Sequence, residues 1–196
     1  MKTIKICEQE WTCENFNGTK FRNGDEIPQI TDGVEWKKAD YPAWCYYENN
    51  PDNETNYGKL YNGFAILDER GIAPDGFHIP SIDEFKLLIE NIGGEDQAFK
   101  LKTKEKKNWV NWKSAKKGTD EFGFNACPAG VRTSKWGPSP FVNKFEYTRY
   151  WSKTLKDDKT IFGAILGYSN DYMYTQGTIH GDCSFNAGYS LRLLKD

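Results

Sequence analysis

Hydrophobic positions in this chain come in short bursts set among polar turns. The clearest periodic stretch follows Ser81, where Phe85, Leu88, Ile89 and Ile92 recur at the i, i+3, i+4, i+7 spacing of one helix face. Ser81 and Glu84 stand in capping-box spacing: the serine oxygen can accept from the N3 amide while the glutamate reaches back to the cap amide. Gly93-Gly94 ends the pattern through the left-handed backbone position that glycine adopts without strain. The spacing predicts a capped helix over 82–92. A shorter second helix is expected over Gln97–Thr103.

The rest reads as short strands and turns. Tyr147–Ser152 and Ile161–Tyr168 are strand candidates, and from Phe122 onward the chain looks all-β. Near the end, Tyr189, Leu191 and Leu193 alternate with Ser190, Arg192 and Leu194, the period-two signature of a strand. Phe64–Leu67 is read as a short apolar strand after the Tyr57-Gly58 and Asn62-Gly63 turns. Asn17-Gly18 and Asn23-Gly24 are turn dipeptides, and Glu48–Asn56 is a polar loop of turn formers. No internal repeat or low-complexity linker divides the chain, so its 196 residues are read as one domain, 1–196. That length can bury a core without metal or disulfide support.

Aromatics make up 15% of the chain while Val occurs only four times, which argues against the Val/Ile-rich strands of a buried parallel sheet. The net charge of −2 and pI near 5.8 give no bulk attraction to nucleic acid or anionic membrane. Lys100–Lys117 is locally basic and carries Trp109 and Trp112, the mixture that binds single strands by stacking and phosphate contact. With no RNP-like pattern beside it, the stretch is read as a solvated loop with its tryptophans turned inward, and no nucleic-acid partner is expected. No run of about 20 apolar residues is present, so no membrane insertion is expected. The start, MKTIKICEQEW, lacks an apolar secretory core. That fits a cytosolic protein, a virion component released by lysis, or a chain whose leader was removed, and leaves the localisation open.

Candidate chemistry is sparse. The five cysteines, Cys7, Cys13, Cys45, Cys127 and Cys183, contain no CxxC and match no common zinc spacing. They are read as buried small hydrophobes. Neither His78 nor His180 sits in a ligand motif, and there is no GxSxG and no glycine-rich phosphate loop. Asp52, Asn53 and Glu54 offer oxygens in the Asn49–Asn56 loop, where calcium would need about six to eight; Asn/Asp loops are far more often plain turns, and the loop is read as one. No catalytic residue, metal or other cofactor is expected.

A series of aromatic–glycine–proline phrases spans the chain: ICEQEWTCENF (6–16), FRNGDEIP (21–28), WCYYENNPDNETNYGKLYNGFAI (44–66), RGIAPDGFHIPSIDEF (70–85), FGFNACPAGVR (122–132), RYWSKT (149–154) and GYSLRLLKD (188–196). In wording and order they closely resemble the Fibrobacter succinogenes major paralogous domain, over about Ile6 to Asp196. The most specific are Tyr57–Asn62, Gly76–Pro80 and Gly188–Arg192. The resemblance implies an α+β, C-type-lectin-like fold, with an antiparallel sheet core, one or two helices and long structured loops. It also implies a link to surface-exposed bacterial proteins. Formylglycine-generating enzymes of the wider group use two closely placed late cysteines to bind copper and substrate. Here Cys183 is the only cysteine after Cys127, and Leu193 stands where many relatives carry one. A soft Cu(I) site needs a thiolate pair. The calcium-loop strings of C-type lectins, Glu-Pro-Asn, Gln-Pro-Asp and Trp-Asn-Asp, do not occur.

The stretch GYSNDYMYTQGTIHGDCSFNAG (167–188) differs in kind. It crowds Tyr168, Asn170, Asp171, Tyr172, Tyr174, Asp182 and Asn186 together. Tyr, Ser, Asn and Gly are the residues of antibody paratopes, which combine rigid aromatic area with adaptable hydrogen bonding. These seven are the candidate ligand-binding residues. The alternative is a β-hairpin whose tyrosines pack on their own sheet, since Tyr is also a good strand former. The expected function is a non-catalytic recognition or adhesion module for a carbohydrate or protein partner at a surface, with a phage fibre or decoration protein as one version. The alternatives are an enzyme related to the formylglycine-generating group and a structural domain that assembles as a homo-oligomer or in a virion.

Overall fold

The computed structural model describes residues 1–105, 109–110, 116–168, 173–175 and 183–196, with Tyr174 described by its backbone alone. In chain order the elements are β1 (Thr3–Ile6), β2 (Gln9–Thr12), α1 (Gly33–Lys38), β3 (Trp44–Cys45), α2 (Glu54–Tyr57), β4 (Leu60–Tyr61), α3 (Gly63–Leu67), β5 (Phe77–His78) and α4 (Ile82–Asn91). Then follow β6 (Ala129–Arg132), β7 (Phe141–Lys144), β8 (Tyr147–Asp157), β9 (Thr160–Gly167), β10 (Met173–Tyr174) and β11 (Leu194–Lys195). The fold is mixed α/β with mostly antiparallel sheets and few helices. The sheets run β1-β2-β11-β5, β10-β9-β8-β6-β7 and β3-β4. The β6–β8 pair, Gly130 against Thr148, is parallel.

The predicted helix forms as α4. Ser81 Oγ accepts from the Glu84 amide at 3.2 Å, and the Ser81 amide donates to Glu84 Oε2 at 2.7 Å. Phe85, Leu88, Ile89 and Ile92 are all buried. The helix ends at Asn91, and Gly94, at φ +114°, returns its amide to Ile89 O. Glu84 also reaches His78, whose other ring nitrogen lies 2.7 Å from Asp196. The second helix is a 3₁₀ turn over Glu95–Lys100, earlier than the pattern indicated. Phe64–Leu67 is helical, not extended. Asn62 caps it, its Oδ1 accepting from the Ala65 amide at 3.0 Å, and an apolar run this short has no decisive period of its own.

β8 organises the interior. Successive residues of a strand face opposite ways. Tyr150 therefore enters a cluster with Trp11, Phe85, Phe124 and Leu166, while Trp151 enters another with Trp44, Tyr61, Tyr189 and Leu191. The Trp151 ring lies 4.3 Å from that of Tyr189, and its Nε1 donates to Tyr61 O at 2.7 Å.

The closing phrase is not the single strand its alternation predicts. Both of its faces are buried, Ser190 and Arg192 included. It forms a strap between the sheets. Gly188 exchanges amide bonds with Arg132, Tyr189 with Tyr61, and Ser190 with Arg149 and Trp151. Leu191 O and Leu193 O then accept from the amides of Phe16 and Thr12, and ladder pairing resumes only at β11. Arg192 is fully buried. Its guanidinium donates to Asn15 Oδ1, Thr12 O, Phe124 O and Asn125 O at 2.7–3.1 Å and lies over the Phe124 ring. A second guanidinium, Arg132, donates to the carbonyls of Ile30, Thr31 and Asp32 and lies 4.5 Å over Trp36. Both are held by oxygens and ring faces, which is how a buried cation is tolerated.

Candidate recognition surface

The tyrosine-rich tract begins where β9 ends. β8 and β9 form a ribbon whose register runs from Tyr147↔Gly167 at one end to Asp157↔Thr160 at the other. Tyr168 leaves at the first end. Its amide donates to Glu146 O at 2.8 Å, and its ring meets Tyr147 edge-on at 5.7 Å. Beneath it, the buried Lys102 donates to Gly167 O at 2.6 Å. β10 then lies along the outer edge of β9, pairing Met173 with Leu166 and Tyr174 with Ile165, and Met173 is fully buried.

The tract reattaches at the ribbon's far end. The Ile161 amide donates to Cys183 O at 3.0 Å, and Ser184 bridges to Thr160. Phe185 packs edge-on against Phe64 at 5.3 Å, and its carbonyl accepts from the Gly63 amide. Asn186 clamps α1: its Nδ2 donates to Ala39 O at 2.5 Å and Trp36 O at 3.4 Å, while its own carbonyl accepts from Trp36 Nε1 at 2.8 Å.

Of the seven candidate residues, Tyr168 and Asn186 thus sit at opposite anchors of the tract. The strand between those anchors is roughly 25 Å long at ~3.3 Å per residue. The structure does not bring these two together. Asn170, Asp171, Tyr172 and Asp182 lie outside the described residues, as do the side chain of Tyr174 and His180. Asn186 spends its amide on the scaffold, a role its composition-based grouping with the tyrosines did not show.

The far anchor adjoins a second exposed element, the 133–140 loop between β6 and β7. Ser134 Oγ and Ser184 Oγ are 2.8 Å apart. The loop is tied down by Thr133 N to Pro140 O, by Arg132 Nε to Ser139 O and by Lys37 Nζ to Gly137 O. Pro138 O presses on Gly33 so closely that any Cβ there would lie 1.8 Å away, so that position requires glycine. From this fixed loop Trp136 projects with 62% of its surface exposed, and Val34 on α1 is exposed too. The Trp-Gly-Pro-Ser-Pro string was the available signal for such a loop.

Other candidate chemistry is absorbed by the scaffold. In the 49–56 loop, Asn53 Oδ1 accepts from Lys144 Nζ, itself 5.2–5.4 Å from the rings of Tyr47, Tyr57 and Phe145. Glu54 accepts from Lys59 and Tyr46. The hydrogen bond from Lys59 lowers the Glu54 carboxyl below its ordinary value, more than offsetting the rise from burial. Trp109 donates to Ala126 O at 3.3 Å and lies half-buried over Lys102, while Trp112 is outside the described residues. Cys13, Cys45, Cys127 and Cys183 are buried and Cys7 is exposed. Burial pushes the thiols of Cys45 and Cys127 up to about 11. Among the described residues no group of three His, Cys, Asp or Glu is placed to hold a metal, and no helix is long and apolar enough to cross a membrane.

A family model, the Fibrobacter succinogenes major domain, matches residues 4–195. The chain belongs to this family. No curated protein and no solved structure matches it. In this Fibrobacter succinogenes major domain, the phrases that carry the resemblance are scaffold. Tyr57–Asn62 supplies the buried Lys59, Tyr61 and the capping Asn62; Gly76–Pro80 leads into α4; Gly188–Arg192 is the strap. None of them lies in the tract between the two anchors.

Proposed function

We propose that this domain is a non-catalytic recognition module on a C-type-lectin-like scaffold, binding a carbohydrate or protein partner through the Tyr168–Asn186 tract. One observation carries the reading. The tract is fastened at both ends of β9, by Tyr168 to Glu146 and by Cys183 to Ile161, and is followed directly by a strap buried at every position. Such a division lets an aromatic, hydrogen-bonding segment meet a partner on a fixed base, the preorganisation that lowers the cost of binding. The exposed Trp136 stands on its own fixed loop beside the far anchor and offers a further aromatic contact. Tryptophan and tyrosine at the centre of a contact commonly carry ~2 kcal/mol or more each. The thiols support a non-catalytic role: burial raises the thiols of Cys45 and Cys127, and Cys183 is the only cysteine after Cys127, so the late thiolate pair of the copper enzymes is not offered.

The test is a glycan array probed with the parent domain and with a Tyr172→Ala/Tyr174→Ala variant, alongside a panel of immobilised cell-surface proteins. The expected result is a defined class of ligand retained by the parent and lost by the variant. Retention of the same ligand by the variant would move recognition off the tract. Copper binding that disappears on Cys183→Ser would favour the enzyme alternative instead.

A further inference from the structure

A concave surface that shares no residue with the tract forms where the 16–22 turn meets residues 72–75. The Arg22 amide donates to Gly71 O at 2.8 Å, and its guanidinium donates to Ala73 O through Nε and Nη2 at 3.1 and 2.8 Å. The groove between the two segments holds about 480 Å³, inside the ~300–1,000 Å³ range of ordinary small-molecule sites. Its floor is apolar, with Phe16 and Pro74 half-buried and Ile72 buried beneath them. Its rim carries Thr19, Lys20, Arg22 and Asp75.

The floor is built in advance. The Phe16 ring lies 5.7 Å from that of Tyr61, whose hydroxyl donates to Gly18 O at 2.8 Å. A Cβ on Gly18 would fall 2.2 Å from the Phe16 ring, so glycine there leaves the ring its place against the turn. Each cation on the rim already has its carboxylate: Lys20 pairs with Glu26 at 2.8 Å and Arg22 with Asp75 at 3.1 Å. The rim is therefore dense in donors and acceptors yet carries no net charge. A charged ligand would have to compete there with the carboxylate or cation already in place. A neutral ligand rich in hydroxyls can bond both members of a pair while its C–H face rests on the aromatic floor.

We propose that this groove is a binding site for a neutral saccharide, separate from the tract. Thr19 and Asp75 provide polar contacts, Asp75 with 89% of its side chain exposed, and Phe16 with Pro74 supports the sugar's apolar face. The test is a titration of the ¹⁵N-labelled full chain, followed by amide chemical shifts. The probes are neutral trisaccharides of glucose, mannose, galactose and xylose, with oligomers of glucuronate and of glucosamine as charged comparators. At least one neutral trisaccharide should move the amides of Thr19, Arg22 and Asp75 saturably, and the charged oligomers should not. Asp75→Ala should weaken that binding about tenfold, the order expected for one hydrogen bond to a charged group. Thr19→Val, a second rim change, should weaken it less. The Tyr172→Ala/Tyr174→Ala variant should bind the trisaccharide like the parent, which keeps this site's outcome distinct from the tract's. Silence of these amides toward every neutral probe, tighter binding of a charged oligomer, or indifference to Asp75→Ala would each overturn the proposal.

Discussion

Ala187–Leu194 is buried at every position, whereas Tyr168, Ser184, Phe185 and Asn186 of the segment just before it remain partly exposed. The two are adjacent in sequence and both rich in polar groups. What differs is where their hydrogen bonds go. The strap spends its bonds on residues far apart in the chain, from Thr12 and Phe16 to Arg132 and Trp151. Among the described residues the tract is bonded to β9 at its two anchors and through β10, and at its far end Phe185 and Asn186 bond on to α3 and α1. Polar residues thus serve opposite ends here: in the strap, and at Asn186, they hold the scaffold together, and between the tract's anchors we assign them to a partner.

The comparison breaks most visibly at Arg192. Replacing it with Met keeps volume but strips the donor from Asn15 Oδ1 and the carbonyls of Thr12, Phe124 and Asn125. Each buried oxygen left unpaired costs ~1–3 kcal/mol, so Arg192→Met should lose about 4 kcal/mol or more in urea unfolding. A loss under ~1 kcal/mol would mean the strap is not a fastening.

Acid should come next. Burial raises the Glu84 carboxyl, but hydrogen bonds from the Ser81 amide, His78 and the Ser81 hydroxyl more than offset it, so the group sits below its ordinary 4.5. A carboxylate with a lowered folded pKa adds stability above the unfolded value and loses it as pH falls through the folded one. Melting temperatures measured from pH 6 down to pH 3 should therefore fall below about pH 4.5, and Glu84→Gln should flatten that fall. Ser81→Ala is the smallest of the scaffold changes, expected at ~1 kcal/mol for loss of an N-cap bond.

How much of this was legible beforehand follows from the range of each interaction. α4 was readable because its cap, its face and its glycine stop are all local. α3 was not, because four apolar residues fit either period and the deciding bond comes from Asn62. The strap's alternation was visible, but the burial of Ser190 and Arg192 was not. Their partners lie at Asn15, Thr12 and Phe124, which no local pattern brings near. The tract stands out in the sequence by composition alone. Composition did not separate Asn186, whose amide is committed to the end of α1, from residues grouped with it by type.

The most direct measurement is a pair of thermal melts, Tyr172→Ala/Tyr174→Ala beside Arg192→Met. In a chain of this length ~1 kcal/mol shifts the midpoint by roughly 2–4 °C. If the strap carries the fold and the tract carries recognition, the tyrosine variant should melt within ~2 °C of the parent while the arginine variant melts ~8 °C or more below it. The reverse, a tyrosine variant that falls by ~8 °C or more, would place those side chains in the core and contradict the division.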